Sequence, residues 1–245
     1  MLNLVKQHKK KALVSLPLVA VLSYYGARKL YNSNKKTIVN APHMQQNPEL
    51  PRGCEVTSLA MLLRHAGIAA DKMELANKLD KVPFEENGLQ GNMQEGFAGD
   101  MYSFSRPGLG VYVNPIYKLG FSYLKDQLVN LTGGEPQDLY HMIDRGAPVW
   151  SIVNDTFAML PEERFEIWFT SDGPMHVTYA LHSVLLTGYS QNYVYINDPL
   201  HETPNRRIKR KDFEQAWIQL GRQALSYKTK QKQTQGQPKE NIVVS

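Results

Sequence analysis

The single cysteine, Cys54, is the chemically most informative residue of the 245-residue chain. It lies where the first strongly periodic segment begins, because Val56, Leu59, Leu63 and Ala66 recur at helical spacing. The N–H groups and dipole of a helix N-terminus favour a thiolate over a thiol. Cys54 is therefore a candidate nucleophile, and a small buried structural thiol is the alternative. One cysteine excludes internal disulfides and every cysteine-rich zinc site.

A nucleophilic cysteine needs a base, and the base needs a group that orients it. His182 opens the apolar stretch 183–187, and Asp198 ends a second strand-like stretch. A turn centred on Ser190 predicts a hairpin with a five-residue loop, in which His182 directly faces Asp198. Facing residues share one side of a sheet with Cβ atoms about 4.5–5.5 Å apart. An aspartate at that distance can accept a hydrogen bond from an imidazole, and a one-residue shift of register would break the pairing.

The order Cys54, His182, Asp198 along the chain fits papain-type and transglutaminase-type chemistry and does not fit the serine-protease orders. His176 is a weaker alternative base because no acid lies opposite it on the hairpin. His65 and His141 fall on predicted helices and are interpreted as surface or packing residues. The three tryptophans lie in periodic apolar stretches and are interpreted as core residues: Trp150, Trp168 and Trp217. The sequence contains no P-loop, dinucleotide fingerprint or metal-ligand cluster, so we expect no metal and no cofactor.

The elements around these residues follow an α+β order, with helices mainly first and antiparallel strands later. Periodicity and turn signals predict helices over residues 71–79, 136–145 and 212–220, a buried strand over 148–153, and strands over 167–170 and 177–181. Residues 85–110 are rich in Gly, Asn and Ser, and so long a loop often has a function. Tyr102 and Phe104 in this loop are candidates to line a substrate cleft.

The formal net charge of +5 and the pI near 9.1 come from the ends of the chain. Residues 1–36 contain eight Lys or Arg and no acid, and residues 228–245 contain four Lys and one Glu. The 16 basic and 22 acidic residues that remain make the middle of the chain acidic. Because a nucleic-acid binder needs a basic patch on its fold, this class is excluded. With 42% hydrophobic residues, the chain can bury one sizeable core.

The distribution of charged and apolar residues along the chain predicts four regions. Residues 1–31 combine a basic start with an apolar stretch, which is typical of an export signal or, if uncleaved, an N-terminal membrane anchor. Residues 32–45 are predicted to be a linker, 46–227 the folded domain, and 228–245 a disordered basic tail. We expect a monomeric domain outside the cell, in the medium or at the surface of a Gram-positive bacterium.

With these residues in view, the chain resembles the exported branch of cysteine-peptidase family thirty-nine, whose founding members are the bacteriocin-processing peptidases. Residues 46–61 (QNPELPRGCEVTSLAM) resemble its nucleophile segment. Residues 182–189 (HSVLLTGY) and 194–199 (VYINDP) are similar to its histidine and aspartate segments. Four shorter matches lie at residues 96–101, 108–116, 148–150 and 213–217. The similarity extends from about Gln46 to Ala224.

The resemblance implies a papain-like fold, with a helical half that carries Cys54 and a β half that carries His182 and Asp198. It implies Cys54 as nucleophile, His182 as general base and acid, and Asp198 as the orienting group. It also implies that Gln46 helps to form the oxyanion hole, with Gln45 as the neighbouring alternative. The expected activity is hydrolysis of peptide bonds in a peptide or protein substrate. An amidase or acyl-transferase with the same triad, an idle peptide- or cell-wall-binding module and a purely structural exported protein are the alternatives.

Overall fold

The computed structural model describes residues 36–229, in which helices pack against one large antiparallel sheet. The predicted signal or anchor, residues 1–31, and all but two residues of the predicted tail, 228–245, lie outside the described range. The α+β prediction is confirmed, because most helices precede most strands of the large sheet. Between residues 36 and 229, every helix is too short or too polar to span a bilayer.

Five α-helices occur in the described part of the chain: four lie close to where periodicity predicts them, and the one at residues 113–124 was not predicted. They are α1 (Cys54–His65), α2 (Lys72–Lys78), α3 (Val113–Leu124), α4 (Pro136–Asp144) and α5 (Arg210–Gln219). The predicted cap of α2 is confirmed, since the Asp71 carboxylate accepts hydrogen bonds from the N–H groups of Met73 and Glu74. Pro136 occupies the first turn of α4, where its missing N–H costs no hydrogen bond.

The strands form one seven-stranded sheet and three small pairs within residues 36–229. They are β1 (Lys36–Ile38), β2 (Lys81–Val82), β3 (Glu85–Glu86), β4 (Leu89–Gln90), β5 (Phe97–Ala98), β6 (Leu128–Asn130), β7 (Val149–Asn154), β8 (Glu166–Thr170), β9 (Gly173–Val177), β10 (Leu181–Ser190), β11 (Tyr193–Asn197), β12 (Arg206–Lys209) and β13 (Ala224–Tyr227). The large sheet has the order β12-β11-β10-β7-β13-β6, and β1 pairs with the far end of β10. Strands β7 and β10 at its centre are buried, as their continuous apolar runs require.

The helix that begins at Cys54 packs against the centre of this sheet. Ten of its twelve residues are buried, so α1 is covered on nearly all sides. The indole N–H of Trp150 on β7 donates to the carbonyl oxygen of Glu55 at 2.9 Å. The Ser58 hydroxyl donates to the carbonyl oxygen of Ser183 on β10 at 3.1 Å. These bonds hold the first turn of α1 against the strand that carries His182, and they confirm Trp150 as a core residue.

The hairpin of β10 and β11 differs from the prediction. Strand β10 continues to Ser190, so two residues, rather than five, connect the strands. Leu186 pairs with Ile196, and a β-bulge follows before Gly188. Gly188 therefore lies within a strand instead of a turn. A Cβ there would come within 2.5 Å of the Thr37 carbonyl oxygen, so glycine allows the backbone of β1 to approach.

The prediction that His182 directly faces Asp198 is wrong. The observed register, extended by one pair, places Val184 opposite Asp198. His182 lies two positions further along, which is the same face of the sheet, because side chains alternate with a period of two. A diagonal neighbour remains within reach of a long side chain. The two-residue error thus changes the partner but preserves the face on which the histidine lies.

The stretch predicted as a linker, residues 32–45, contains folded structure from residue 36 onward. Strand β1 pairs antiparallel with the end of β10. Val39 is buried, and its N–H donates to the Thr187 carbonyl oxygen at 2.7 Å. Composition did not indicate this strand because its pairing uses backbone groups, which are the same for every non-proline residue.

Candidate active site

Cys54 is the first residue of α1 and forms part of the floor of a surface cleft. The turn before it is tight, because a Cβ on Gly53 would lie 2.5 Å from the Cβ of Leu50. Glycine at this position therefore allows the chain to enter the helix with Cys54 under the cleft. As the first helical residue, Cys54 has a backbone N–H that no helical carbonyl accepts.

His182 and Asp198 are in direct contact beside Cys54. The Nε2 atom of His182 lies 2.8 Å from Oδ1 of Asp198, and both side chains are buried. His182 and Cys54 line the same cleft. The structure therefore brings the three residues singled out in the sequence to one place, although their positions span most of the folded chain.

The Asp198 carboxylate is surrounded by donors. Oδ1 also accepts the N–H of Leu200 at 3.0 Å, and Oδ2 accepts Nη1 of Arg206 at 2.6 Å. Burial acts to raise the pKa of Asp198, but the hydrogen bond and charge of His182, then Leu200 and Arg206, outweigh it and lower the pKa to about 2. Asp198 is therefore ionised at neutral pH and can only accept hydrogen bonds.

An ionised Asp198 determines which nitrogen of His182 carries the proton. Because the carboxylate accepts, Nε2 must hold the hydrogen that is donated to Asp198. In neutral His182 the remaining nitrogen, Nδ1, then has a free lone pair. This is the state that a general base requires.

Phe157 supports this histidine and is a residue that sequence reasoning missed. Its ring contacts His182 edge to face at 5.9 Å between centroids, and the Arg206 guanidinium lies 4.8 Å from its centroid. The turn that presents it is stabilised by the Asn154 side chain, which accepts from Thr156 and donates to the Ala158 carbonyl oxygen. Asn-Asp-Thr at residues 154–156 is a turn signal that could have indicated this loop, though not its contact.

Gln46, rather than Gln45, lies beside the cysteine. Gln46 is buried and lines the cleft, whereas Gln45 is exposed. The Gln46 side-chain Nε2 donates to the Pro51 carbonyl oxygen at 2.8 Å. An amide nitrogen has two hydrogens, so one remains for another acceptor in the cleft.

The environment of the Cys54 thiol opposes ionisation, contrary to what the helix N-terminus alone predicts. Burial, followed by the charge and hydrogen bond of Glu55, raises the pKa of the thiol well above its usual range. A backbone hydrogen bond from Ser183 acts in the opposite direction but is outweighed. The resting cysteine is therefore a neutral thiol that must lose its proton to a base when it reacts.

Glu55 is the second residue that sequence reasoning missed. The Cys54 thiol donates to its Oε2 at 3.3 Å, and the N–H of Val111 donates to its Oε1 at 3.1 Å. Burial raises the pKa of Glu55 to about 7. The sequence did not indicate this role, because glutamate is common in the first turn of a helix, where its charge interacts favourably with the helix dipole.

The cleft itself has a volume of about 560 Å³ and walls that are partly polar and partly apolar. Its larger apolar side chains are Phe84, Phe104, Leu109, Tyr179 and Leu200. Phe104 fulfils the expected role in the long loop, and the Arg52 guanidinium lies 4.6 Å from its ring centroid. Tyr102 instead donates its hydroxyl to Asn77 and does not line the cleft.

The structure excludes the alternative base and confirms the interpretation of the two helix histidines and the tryptophans. His176 is on β9 in a different cavity from Cys54, so the structure does not bring it to the thiol. His65 contacts the Tyr227 hydroxyl, and His141 contacts Arg145 on the surface of α4. Trp168 and Trp217 are buried. Among the described residues, no group of three or more His, Cys, Asp or Glu side chains is suited to hold a metal ion.

The Glu55→Gln variant is expected to make Cys54 more reactive above pH 7. The amide oxygen can keep the Val111 bond, while the amide nitrogen replaces a negative charge beside the sulfur. In the parent, Glu55 loses its proton as the pH rises through about 7, so its charge penalises the thiolate fully only above that pH. A thiol pKa lower by one unit corresponds to about tenfold faster alkylation at pH 8.

Iodoacetamide alkylation against pH measures this effect. The gain should shrink below pH 7, where Glu55 of the parent is itself protonated. Glu74→Gln is the matched control, because Glu74 is an exposed carboxylate on α2 that binds Lys78. Equal rates for Glu55→Gln and the parent at pH 8 would contradict the assigned effect of Glu55.

Comparison with known proteins agrees with this fold. The sequence from 38 to 225 matches the Peptidase_C39 like family, so the chain belongs to this family and has its papain-like fold.

Two particular relatives are similar over most of the chain. A crystal structure of a protein from Bacillus anthracis, described as a C39-like peptidase, has a TM-score of 0.79 and 48% identity. The match covers 80% of this chain and 99% of that one. The uncharacterized protein YvpB of Bacillus subtilis strain 168 is 42% identical over 199 residues, which are 81% of this chain and 78% of the relative.

Proposed function

We propose that the protein is a cysteine peptidase that hydrolyses amide bonds of peptides through Cys54, His182 and Asp198. The observation that most strongly supports this function is the 2.8 Å bond between His182 Nε2 and Asp198 in a cleft that also contains Cys54. This bond leaves Nδ1 as a base beside the only thiol of the chain.

The reaction begins when a peptide carbonyl enters the cleft. His182 Nδ1 takes the thiol proton as Cys54 Sγ bonds to the carbonyl carbon, and the carbonyl oxygen becomes an oxyanion. The free Cys54 N–H and the second hydrogen of the Gln46 amide stabilise this charge, an effect worth about 3–4 kcal/mol for one donor in other enzymes. The C–N bond then breaks as His182 protonates the leaving amine.

The second half of the reaction releases the acyl group. Water loses a proton to His182 and attacks the thioester carbon, through a second oxyanion at the same donors. The C–S bond breaks, and the thiolate regains its proton from His182. Throughout, Asp198 holds the imidazole in one tautomer and stabilises its charged form.

Export is the proposed setting. The basic and apolar pattern of residues 1–31 supports a signal or an uncleaved anchor, with the domain at the cell surface or in the medium. Detection of the chain in culture medium or in the membrane fraction would separate these two forms.

Incubation of the full chain with a library of blocked, internally quenched peptides tests the proposed activity. Mass spectrometry of acid-quenched samples should reveal cleavage at internal amide bonds together with an acyl adduct on Cys54. An adduct that forms from a terminal or side-chain amide with release of ammonia and transfers to an added amine, with no internal cleavage, would instead indicate an amidase or acyl-transferase. Absence of both cleavage and adduct would contradict covalent catalysis and favour a binding module.

A further inference from the structure

A buried lysine at the start of α2 contacts the segment that contains Gln46. Lys72 Nζ donates to the carbonyl oxygens of Gln45 at 2.7 Å and Gln46 at 2.9 Å. It also contacts Oε2 of Glu49 at 2.7 Å. An ammonium group has three hydrogens, so every donor of this side chain is used within one short segment.

The same segment is tied to the site from its other side. The N–H of Gln46 donates to the Pro199 carbonyl oxygen at 3.0 Å, directly after Asp198. The Gln46 side chain donates to the Pro51 carbonyl oxygen, close before Cys54. Gln46 therefore lies at the junction of three parts of the site, and Lys72 holds its carbonyl oxygen.

Simple ion pairing does not explain why this lysine is buried. Lys72 is only 9% exposed, whereas the Glu49 side chain is 48% exposed. A pair with an exposed carboxylate contributes little to stability, while burial of an ammonium has a desolvation cost. Lys72 reaches the two backbone carbonyl oxygens only because its side chain is buried. Its hydrogen bonds therefore hold the backbone of Gln46 in a defined position.

We propose that Lys72 is a positioning residue that holds Gln46 so that its side-chain amide can donate to the oxyanion. The inference rests on the proposed function, because it deepens the role of the same site. Its expected consequence is selective: loss of Lys72 should slow reactions that pass through an oxyanion and should leave the thiol itself unchanged.

Two small reagents separate these effects at the same sulfur. With p-nitrophenyl acetate, Cys54 Sγ bonds to the acetyl carbon, an oxyanion forms, and the C–O bond breaks to release p-nitrophenolate, with the thiol proton passing to His182. With iodoacetamide, Sγ displaces iodide from a saturated carbon and forms no oxyanion. The ratio of the acylation rate to the alkylation rate therefore reports on the oxyanion donors, independently of any peptide preference.

The experiment uses the full chain, five single variants and one double variant. Lys72→Met removes the three donors, and Lys72→Arg keeps the charge in a planar group that cannot reproduce their geometry. Lys78→Met is the matched control, because Lys78 lies on the same helix and forms an exposed pair with Glu74. Gln46→Ala removes the amide, and rates of the Cys54→Ala chain are subtracted as the blank.

In Lys72→Met the rate ratio should fall about 10–100-fold, with alkylation within about twofold of the parent. Lys78→Met should match the parent in both reactions. Because Lys72 acts through Gln46, the effect of Lys72→Met should disappear in a Gln46→Ala background. Lys72→Arg should give an intermediate ratio, and it provides the same comparison if Lys72→Met is recovered unfolded.

An unchanged ratio, an equal fall in both rates, or a full effect in the Gln46→Ala background would overturn the role of Lys72. A parent acylation rate no higher than the blank would do the same. The proposed function fails separately: a ratio that falls as expected, in a protein that cleaves no peptide of the library, contradicts peptide hydrolysis but supports the position assigned to Lys72.

Discussion

Replacing Cys54 by Ala is expected to lower the rate of peptide hydrolysis by about 10⁴-fold or more. The substitution removes the only thiol of the chain, and among the described residues that line the cleft there is no serine, threonine or lysine to replace it. Initial rates of cleavage, measured with a peptide selected from the library, determine the loss.

The Cys54→Ala variant should remain folded. Cys54 is a small residue at the start of α1, and alanine is the best helix former. The Glu55 carboxyl loses one hydrogen bond but keeps the N–H of Val111. Circular dichroism and thermal unfolding provide the control. Substantial hydrolysis by the folded variant would show that the reaction does not use the thiol.

Replacing Asp198 by Asn should lower kcat/KM by about 10²–10⁴-fold, because it changes the tautomer of His182. Three donors surround the carboxylate: His182 Nε2, the N–H of Leu200 and Arg206 Nη1. An amide offers one acceptor oxygen. If that oxygen faces Arg206, which is always charged, the NH₂ group faces His182 and Nε2 must accept. The proton then lies on Nδ1, where the base is needed.

A double variant shows whether the fall in kcat/KM caused by Asp198→Asn depends on His182. His182→Ala alone removes the base, and general bases contribute about 10²–10⁴-fold. If Asp198 acts by orienting His182, adding Asp198→Asn to His182→Ala should cause little further loss. Additive losses, or retention of kcat/KM by Asp198→Asn within about tenfold, would contradict the tautomer argument.

Glu55 and Lys72 show where sequence reasoning reaches its limit. Cys54 and His182 were identifiable because one is unique in the chain and the other opens a recognisable strand. Glu55 was not, because its role depends on a carboxyl that is buried, accepts a hydrogen bond from the sulfur and is held by the N–H of Val111. From the sequence, Lys72 is likewise an ordinary lysine at the start of a helix. Only the structure shows that it donates to three acceptors in the segment that contains Gln46.

The hairpin shows a partial success of the same reasoning. Alternation of side chains correctly placed His182 and Asp198 on one face, although the register was wrong by two residues. Loop length and bulges set register, and Gly188 gave a turn signal for a position that is in fact covered by β1. His182 and Asp198 are still in contact, because a register error of two residues leaves both side chains on the same face of the sheet.

Local patterns were sufficient for four of the five described helices, the α+β order and the start of α1 at Cys54, because periodicity directly records which side chains are buried. The tertiary structure alone decided the strand at residues 36–38, the burial of Gln46 in the cleft, and the neutral state of the Cys54 thiol. Each of these depends on backbone pairing or on dehydration by residues far away in the chain. The residues next to a position in the sequence determine neither its backbone pairing nor its dehydration. The arrangement of the site is therefore known only once the packing of the helix against the sheet is known.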